Sequence, residues 1–229
     1  MSRSIQNMFN GIAPKYDILN TILSFGIHHL WRRRTVKEAN LNESSKVLDC
    51  ATGTGDLAIA LKNYYPKASI IGLDFSDKML EIAKEKVIKM NLNLSLLAGD
   101  ILHLPFPDNS FDAVTVSFGI RNVDNTLNGL IEMARVTKPG GKVIVLEFGQ
   151  PSGVIKIFYN FYSRIFMPFV GRLFSGDRGA YKYLPATTLN YPCREKFIGI
   201  MNQTNLLENS YYHSLTGGIS YLYVGIVKS

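Results

Sequence analysis

Between Lys46 and Leu146 the chain alternates short, nearly continuous apolar runs with stretches whose apolar residues recur every three or four positions. Such alternation predicts repeated strand–helix–strand units and a parallel sheet, because strands covered on both faces lose the apolar/polar alternation of half-exposed ones. Strands are expected at 46–50, 69–74, 94–99, 111–118 and 142–148, and helices over Gly55–Tyr64, Asp77–Lys89 and Asn125–Val136. Lys138-Pro139-Gly140-Gly141 stops the last helix before the next strand. Two further strands, near Ser210–Ser214 and Ile219–Val227, close a sheet of seven, mostly parallel, with helices on both faces. The fold class is α/β, of the doubly wound, Rossmann-like kind.

The flanks read differently. Residues 1–40 predict one or two helices acting as a lid or cap, with Trp31 leading the basic run Arg32-Arg33-Arg34. Residues 41–150 form the cofactor-binding core, and 151–229 a substrate-side insertion with the closing strands. The 229 residues fit one domain. Charged residues make up 19% and hydrophobic ones 46%, which excludes disordered and fibrous classes. Cys50 and Cys193 stand alone, with no metal-ligand spacing, so neither a disulfide framework nor a metal site is expected, and a reducing cytoplasm is the expected home. Pro14, Lys15 and Asp17 interrupt the start where an export signal needs an apolar stretch, and Lys156, Arg164, Pro168 and Arg172 break the greasiest segment, 154–174. The formal net charge of +7 permits attraction to anionic lipid or nucleic acid without specifying either, and no RNA signature accompanies it.

The densest chemistry lies in Asp49-Cys50-Ala51-Thr52-Gly53-Thr54-Gly55-Asp56, at the end of the first predicted strand. Ligands of open parallel sheets bind beyond the carboxyl ends of strands, and Gly53 and Gly55 let backbone approach them closely. Asp74 ends the second strand, 21 residues after Gly53, where a carboxylate can accept hydrogen bonds from both hydroxyls of a ribose. Gly53 to Ala58 also satisfies the G-x-G-x-x-A pattern of dinucleotide sites, so a nicotinamide-dependent oxidoreductase is one alternative. Carboxylates beside the glycines, Asp49 and Asp56, would repel a pyrophosphate and attract a cation, which favours S-adenosylmethionine as cofactor.

These residues resemble the class I methyltransferases, through DCATGTGD, the acidic ends Asp74 and Asp100, and TKPGG at 137–141. Longer segments, MFNGIAPKYDILNTILSFGIHHLWRRR, LPFPDNSFDAVTVSFGIRNV and AYKYLPATT, resemble the quinone C-methyltransferase family of menaquinone and ubiquinone biosynthesis. The resemblance implies that Thr54, Asp74, Asp100, Ile101 and Ser117 contact the cofactor. It also implies a prenylated quinol substrate, with demethylmenaquinol preferred over the ubiquinol precursor. Thr52 stands where the family commonly has glycine, and Tyr223 where it often has histidine.

Carbon methylation needs an electron-rich ring, which a quinol becomes as its hydroxyl loses a proton. Arg121, directly after the fourth strand, is expected to stabilise the developing oxyanion, with Asn122 holding the quinol oxygen. Tyr16 and Asp17 are expected to fold over the ligand. His28 and His29 fit structural roles equally well and are not counted in the site. The aromatic stretch from Ile155 to Phe174 can shelter a polyprenyl tail, with Tyr181, Lys182 and Tyr183 lining the same pocket and Arg164 and Arg172 meeting head groups on the inner face of a membrane. A homodimer is compatible with the sequence, nucleic acid is not an expected partner, and a non-catalytic basic module binding membrane or RNA is the remaining alternative.

Overall fold

Residues 3–153, 155, 156, 159, 162, 187, 188 and 190–229 are described by the computed structural model. The expectations for Phe158, Arg164, Arg172, Tyr181, Lys182 and Tyr183 lie outside the described residues.

The apolar runs form strands β1 (Lys46–Cys50), β2 (Ser69–Asp74), β3 (Ser95–Ala98), β4 (Phe111–Ser117) and β5 (Thr137–Phe148), followed by β6 (Leu207–Leu215) and β7 (Ser220–Val227). Their order is β3-β2-β1-β4-β5-β7-β6, and β7 runs antiparallel to both of its neighbours. The chain order reverses between β1 and β4, so the carboxyl ends of these two strands diverge and open a crevice there.

Helices α1 (Arg3–Ile12), α2 (Tyr16–Ser24) and α3 (Ile27–Ala39) precede the sheet, with a single 3-10 turn, Ala13–Lys15, between the first two. The N-terminal segment thus holds three helices where one or two were expected, because Phe25 and Gly26, both at positive φ, split the apolar pattern into α2 and α3. Helices α4 (Asp56–Tyr64), α5 (Asp77–Lys89), α6 (Thr126–Val136) and α7 (Glu195–Gln203) complete the described set. Side chains start two of them: Ser76 accepts from the Met79 N–H, and Asn125 from the Asn128 N–H.

Alternation along each strand divides the core. Leu48, Val114, Val116, Val143 and Val145 pack with Leu130 and Met133 of α6 and Phe197 and Met201 of α7. Val47, Ile70, Ala113, Ile144 and Leu146 pack on the other face with Trp31 and Val36 of α3 and Leu57 and Leu61 of α4. Helix α3 is therefore part of the layer covering the sheet, pinned at its start by a Trp31 indole N–H donating to Thr216 Oγ1 at 2.8 Å. Helix α1 lies by the carboxyl end of β2, bonded to Phe75 and Ser76, and α2 reaches the turn after β1 through Asp17. No described helix is long and apolar enough to cross a membrane.

Candidate functional site

Two loops wall the crevice. The turn after β1 brings Ala51 and Gly53 to it, and the turn after β4 brings Phe118 and Gly119. Ala51 and Phe118 sit at φ +49° and +56°, in the left-handed region that costs an L residue about 1–2 kcal/mol. Such strain persists where the surroundings impose it, and here the two turns press together: a Cβ at Gly119 would stand 2.5 Å from the Ala51 Cβ.

A narrow cleft of about 60 Å³ runs between these turns, lined by Gly53, Asp74, Asp100, Ile101, Ser117 and Asn122 among others. Asp74 holds the first turn in place, accepting from the Gly53 N–H at 2.7 Å and the Ser76 N–H at 2.8 Å. Burial pushes its carboxyl above the usual value, against the pull of those N–H groups. Ser117 Oγ is buried in the cleft wall with no hydrogen-bond partner among the described residues. A buried hydroxyl beside the Asp74 carboxylate and the acidic turn at Asp100 is a set of residues that fits an adenosyl cofactor.

Three expected cofactor residues do not line the cleft. Asp49 shares the strand face of Val47, so it points under α3 and α4, fully buried, and accepts from Thr52 Oγ1 at 2.6 Å and Thr115 Oγ1 at 2.7 Å. Burial raises it to about 6 despite these donors. Thr54 donates to Asp17 Oδ1 of the lid at 2.6 Å, and Gly55 turns the chain at φ +84° against Ala83. Asp56 points outward, between Arg32 at 2.8 Å and Lys86 at 2.5 Å. Asp49 and Asp56 therefore do not present charge to a cationic ligand as expected: one is buried behind the loop and the other is paired. Thr52 is explained by its neighbour, since its side chain occupies the space over Gly72, 3.0 Å from where a Cβ there would stand.

Across Phe9, Tyr16 and Phe118, which line both spaces, lies a second and larger cavity of about 330 Å³. Its walls are mostly apolar, with Trp31, Phe118 and Phe148 stacked in mutual contact on one side. Tyr16, Asn20, Ser24, His28, Arg32, Arg121, Tyr159 and Tyr162 are its polar groups among the described residues. An apolar cavity with a few converging polar groups is the usual form of a small-molecule site. Burial, partly offset by an Asn20 hydrogen bond and by Arg121, raises the Tyr16 hydroxyl above its ordinary value and keeps it neutral.

Arg121 reaches this cavity from the turn after β4 but is not a solitary cation. Its Nη1 pairs with Glu147 Oε1 at 2.5 Å and donates to the Phe118 carbonyl at 2.7 Å, and its guanidinium lies 5.2 Å from the Phe148 ring centre. Sequence reasoning missed Glu147, although a charged residue inside the apolar run KVIVLEF was the signal. Arg121 Nε is buried with no hydrogen-bond partner among the described residues. Half of the fork is spent on Glu147, and the other half remains for a ligand oxygen.

The lid is fastened by polar contacts around the cleft. Gln6 donates to the Phe75 carbonyl at 2.8 Å, Ser76 donates to Asn10 Oδ1 at 2.6 Å, and Asp17 meets Thr54 and Lys86, each at 2.6 Å.

Comparison with known proteins agrees with this geometry. The crystal structure of a SAM-dependent methyltransferase from Aquifex aeolicus shares the fold, with a TM-score of 0.64 at 20% identity over 86% of this chain and 89% of that one. The ubiquinone/menaquinone biosynthesis C-methyltransferase UbiE of Bdellovibrio bacteriovorus is 46% identical over 225 residues, covering 98% of this chain and 96% of its own. The demethylmenaquinone methyltransferase of Deinococcus radiodurans is 43% identical, over 97% of this chain and 92% of its own. The description of the ubiE/COQ5 methyltransferase family matches residues 1–227, and this chain belongs to that family.

Proposed function

We propose that the protein transfers a methyl group from S-adenosylmethionine to a ring carbon of a prenylated quinol, with demethylmenaquinol as the preferred substrate. The observation that carries this reading is the pair of adjoining spaces: a polar cleft beside Asp74, Asp100 and Ser117, and an apolar cavity beyond Tyr16 and Phe118. The cofactor supplies an electrophilic methyl group. The protein's own tasks are to hold the quinol, exclude water and manage the hydroxyl proton.

Asp74 is suited to the ribose hydroxyls, Asp100 and Ile101 to the adenine, and Ser117 to the end of the cofactor nearest the cavity. Arg121, which lines the cavity, is suited to meet the quinol oxygen and lower the energy of its negative charge, more strongly because the aromatic walls exclude water. Asn122 and Tyr16, at the edge of the cleft, position that oxygen against the reacting carbon.

The tail leaves the cavity past Phe25, which lines it and is 67% exposed. Ile18 and Leu30 are exposed on the same helices, close in sequence to exposed Arg33 and Arg34, so this face suits an anionic membrane surface that delivers the substrate. The oxidoreductase and basic-module alternatives gain nothing from the family assignment.

Short-tailed demethylmenaquinol and the unmethylated ubiquinol precursor, offered side by side under reducing conditions, test the reading. Faster turnover of the naphthoquinol is expected. Equal or faster turnover of the benzoquinol overturns the preference, and no product from either overturns the quinol assignment.

A further inference from the structure

His28, not counted in the site on sequence grounds, lines the cavity. Helix α2 ends at Ser24, and the turn through Phe25 and Gly26 sets His28, in the first turn of α3, back against it. His28 lines the cavity, and its Nδ1 lies 2.5 Å from Ser24 Oγ. Ser24 Oγ also donates to the Asn20 carbonyl at 2.7 Å. A hydroxyl has one hydrogen to give; with it directed to the Asn20 carbonyl, the contact with Nδ1 runs the other way. In that tautomer His28 Nδ1 carries the proton and Nε2 a lone pair, with no hydrogen-bond partner for Nε2 among the described residues.

The other polar groups of the cavity do not suit the task. Arg121 and Arg32 are cations held by Glu147 and Asp56, Tyr16, Tyr159 and Tyr162 are phenols that burial keeps neutral, and Asn20 and Ser24 are not bases near neutral pH. Glu147 does not line the cavity, and its oxygens already accept from Arg121 and the Phe148 N–H. Burial, helped by Arg32 and by the adjacent His29, keeps the His28 imidazole uncharged at neutral pH.

We propose that His28 Nε2 accepts the quinol hydroxyl proton during methyl transfer, with Ser24 and the Asn20 carbonyl fixing its tautomer; this rests on the quinol reading above. The hydroxyl O–H bond breaks and an N–H bond forms at Nε2. The oxygen's pair moves toward the ring, the ring's π pair forms the new C–C bond, and the sulfonium C–S bond breaks with its pair kept by sulfur. The hydrogen displaced from that carbon leaves to water, and His28 returns its proton to the oxygen, restoring the aromatic ring and the neutral imidazole. A weak base suffices, because the hydroxyl gains the acidity of a protonated carbonyl as the C–C bond forms.

The test is single-turnover methylation of demethylmenaquinol by wild type, H28A and H28Q, with cofactor affinity measured by calorimetry and with imidazole added to H28A. At least a hundredfold loss of turnover is expected in both variants, with cofactor affinity within threefold of wild type and partial recovery of H28A by imidazole. H28Q keeps the packing if H28A does not fold. Wild-type-like turnover in a folded variant, or a loss in H28A that imidazole does not repair, overturns the role of His28 and leaves the quinol reading intact. Absence of product from the wild type itself overturns that reading and the proposal together.

Discussion

Arg121 Nη1 stands 2.5 Å from Glu147 Oε1, with the two side chains only 5% and 1% exposed. Removing one member of a buried pair leaves an uncompensated charge and costs about 3–5 kcal/mol, whereas removing both charges costs much less. Denaturant unfolding should therefore show R121M as strongly destabilised and the double variant R121M/E147Q as partly restored. Turnover should stay at least tenfold down in both, about 1.4 kcal/mol of barrier, because the cavity has lost its oxyanion partner in each. Additive stability losses would contradict the pairing.

Asp74 is the strongest candidate for holding the cofactor rather than reacting with anything. D74N keeps one acceptor for the Gly53 or Ser76 N–H and loses the charge that draws two ribose hydroxyls. Calorimetry should show cofactor affinity at least tenfold weaker, about 1.4 kcal/mol, with little change in the rate of a saturated enzyme. Wild-type affinity in D74N would remove the assignment.

Phe9 and Tyr16 of the N-terminal helices line the cleft, so opening of this lid is expected to govern how the cofactor enters and leaves. Asp17 is the latch, meeting Thr54 on the cofactor loop and Lys86 on α5. D17A should speed hydrogen exchange across residues 5–24 and raise the cofactor dissociation rate severalfold. Unchanged exchange in that segment would show that the latch does not hold the lid.

His28 and Asp49 oppose one another in their effect on acid stability. Burial, then Arg32 and His29, hold His28 at about 4, with Asp56 pulling weakly the other way. Burial and the nearby Asp74 hold Asp49 at about 6, against Thr52, Thr115 and Arg32. Between about pH 4 and 6 the folded chain binds more protons at Asp49 than the unfolded chain does, so that carboxyl's contribution to stability falls as pH rises. The unfolded chain binds more at His28 up to pH about 6.5, so the imidazole's contribution rises with pH over nearly the same window. D49N should therefore lose more stability than wild type on acidification from pH 6.5 to 4, and H28Q less. Thermal melts across that range check this, and parallel curves for all three would contradict it.

Much of the fold was legible because β1, β2, β4 and β5 are covered on both faces and so read as apolar runs. Helix α3 was harder. Trp31-Arg32-Arg33-Arg34 read as an aromatic followed by a basic run in a lid, yet Trp31 is in the core and Arg32 is buried in a long-range pair with Asp56 that no local pattern shows. Of the site, Asp74, Asp100, Ile101, Ser117 and Asn122 converge where strand ends and glycines suggested. Asp49 was misplaced although strand alternation already set it on the Val47 face, and Thr54 turned to the lid because Asp17, remote in sequence, lies above it. The value of Ser24 and His28 depends on a helix break and on the direction of one hydroxyl, which residue types alone do not encode.

The most direct measurement uses S-adenosylmethionine bearing a deuterated methyl group, short-tailed demethylmenaquinol and mass spectrometry of the recovered quinol. The account predicts one labelled methyl per quinol, attached to the ring carbon beside the hydroxyl. Label on oxygen, or an unlabelled quinol in the presence of bound cofactor, would contradict it.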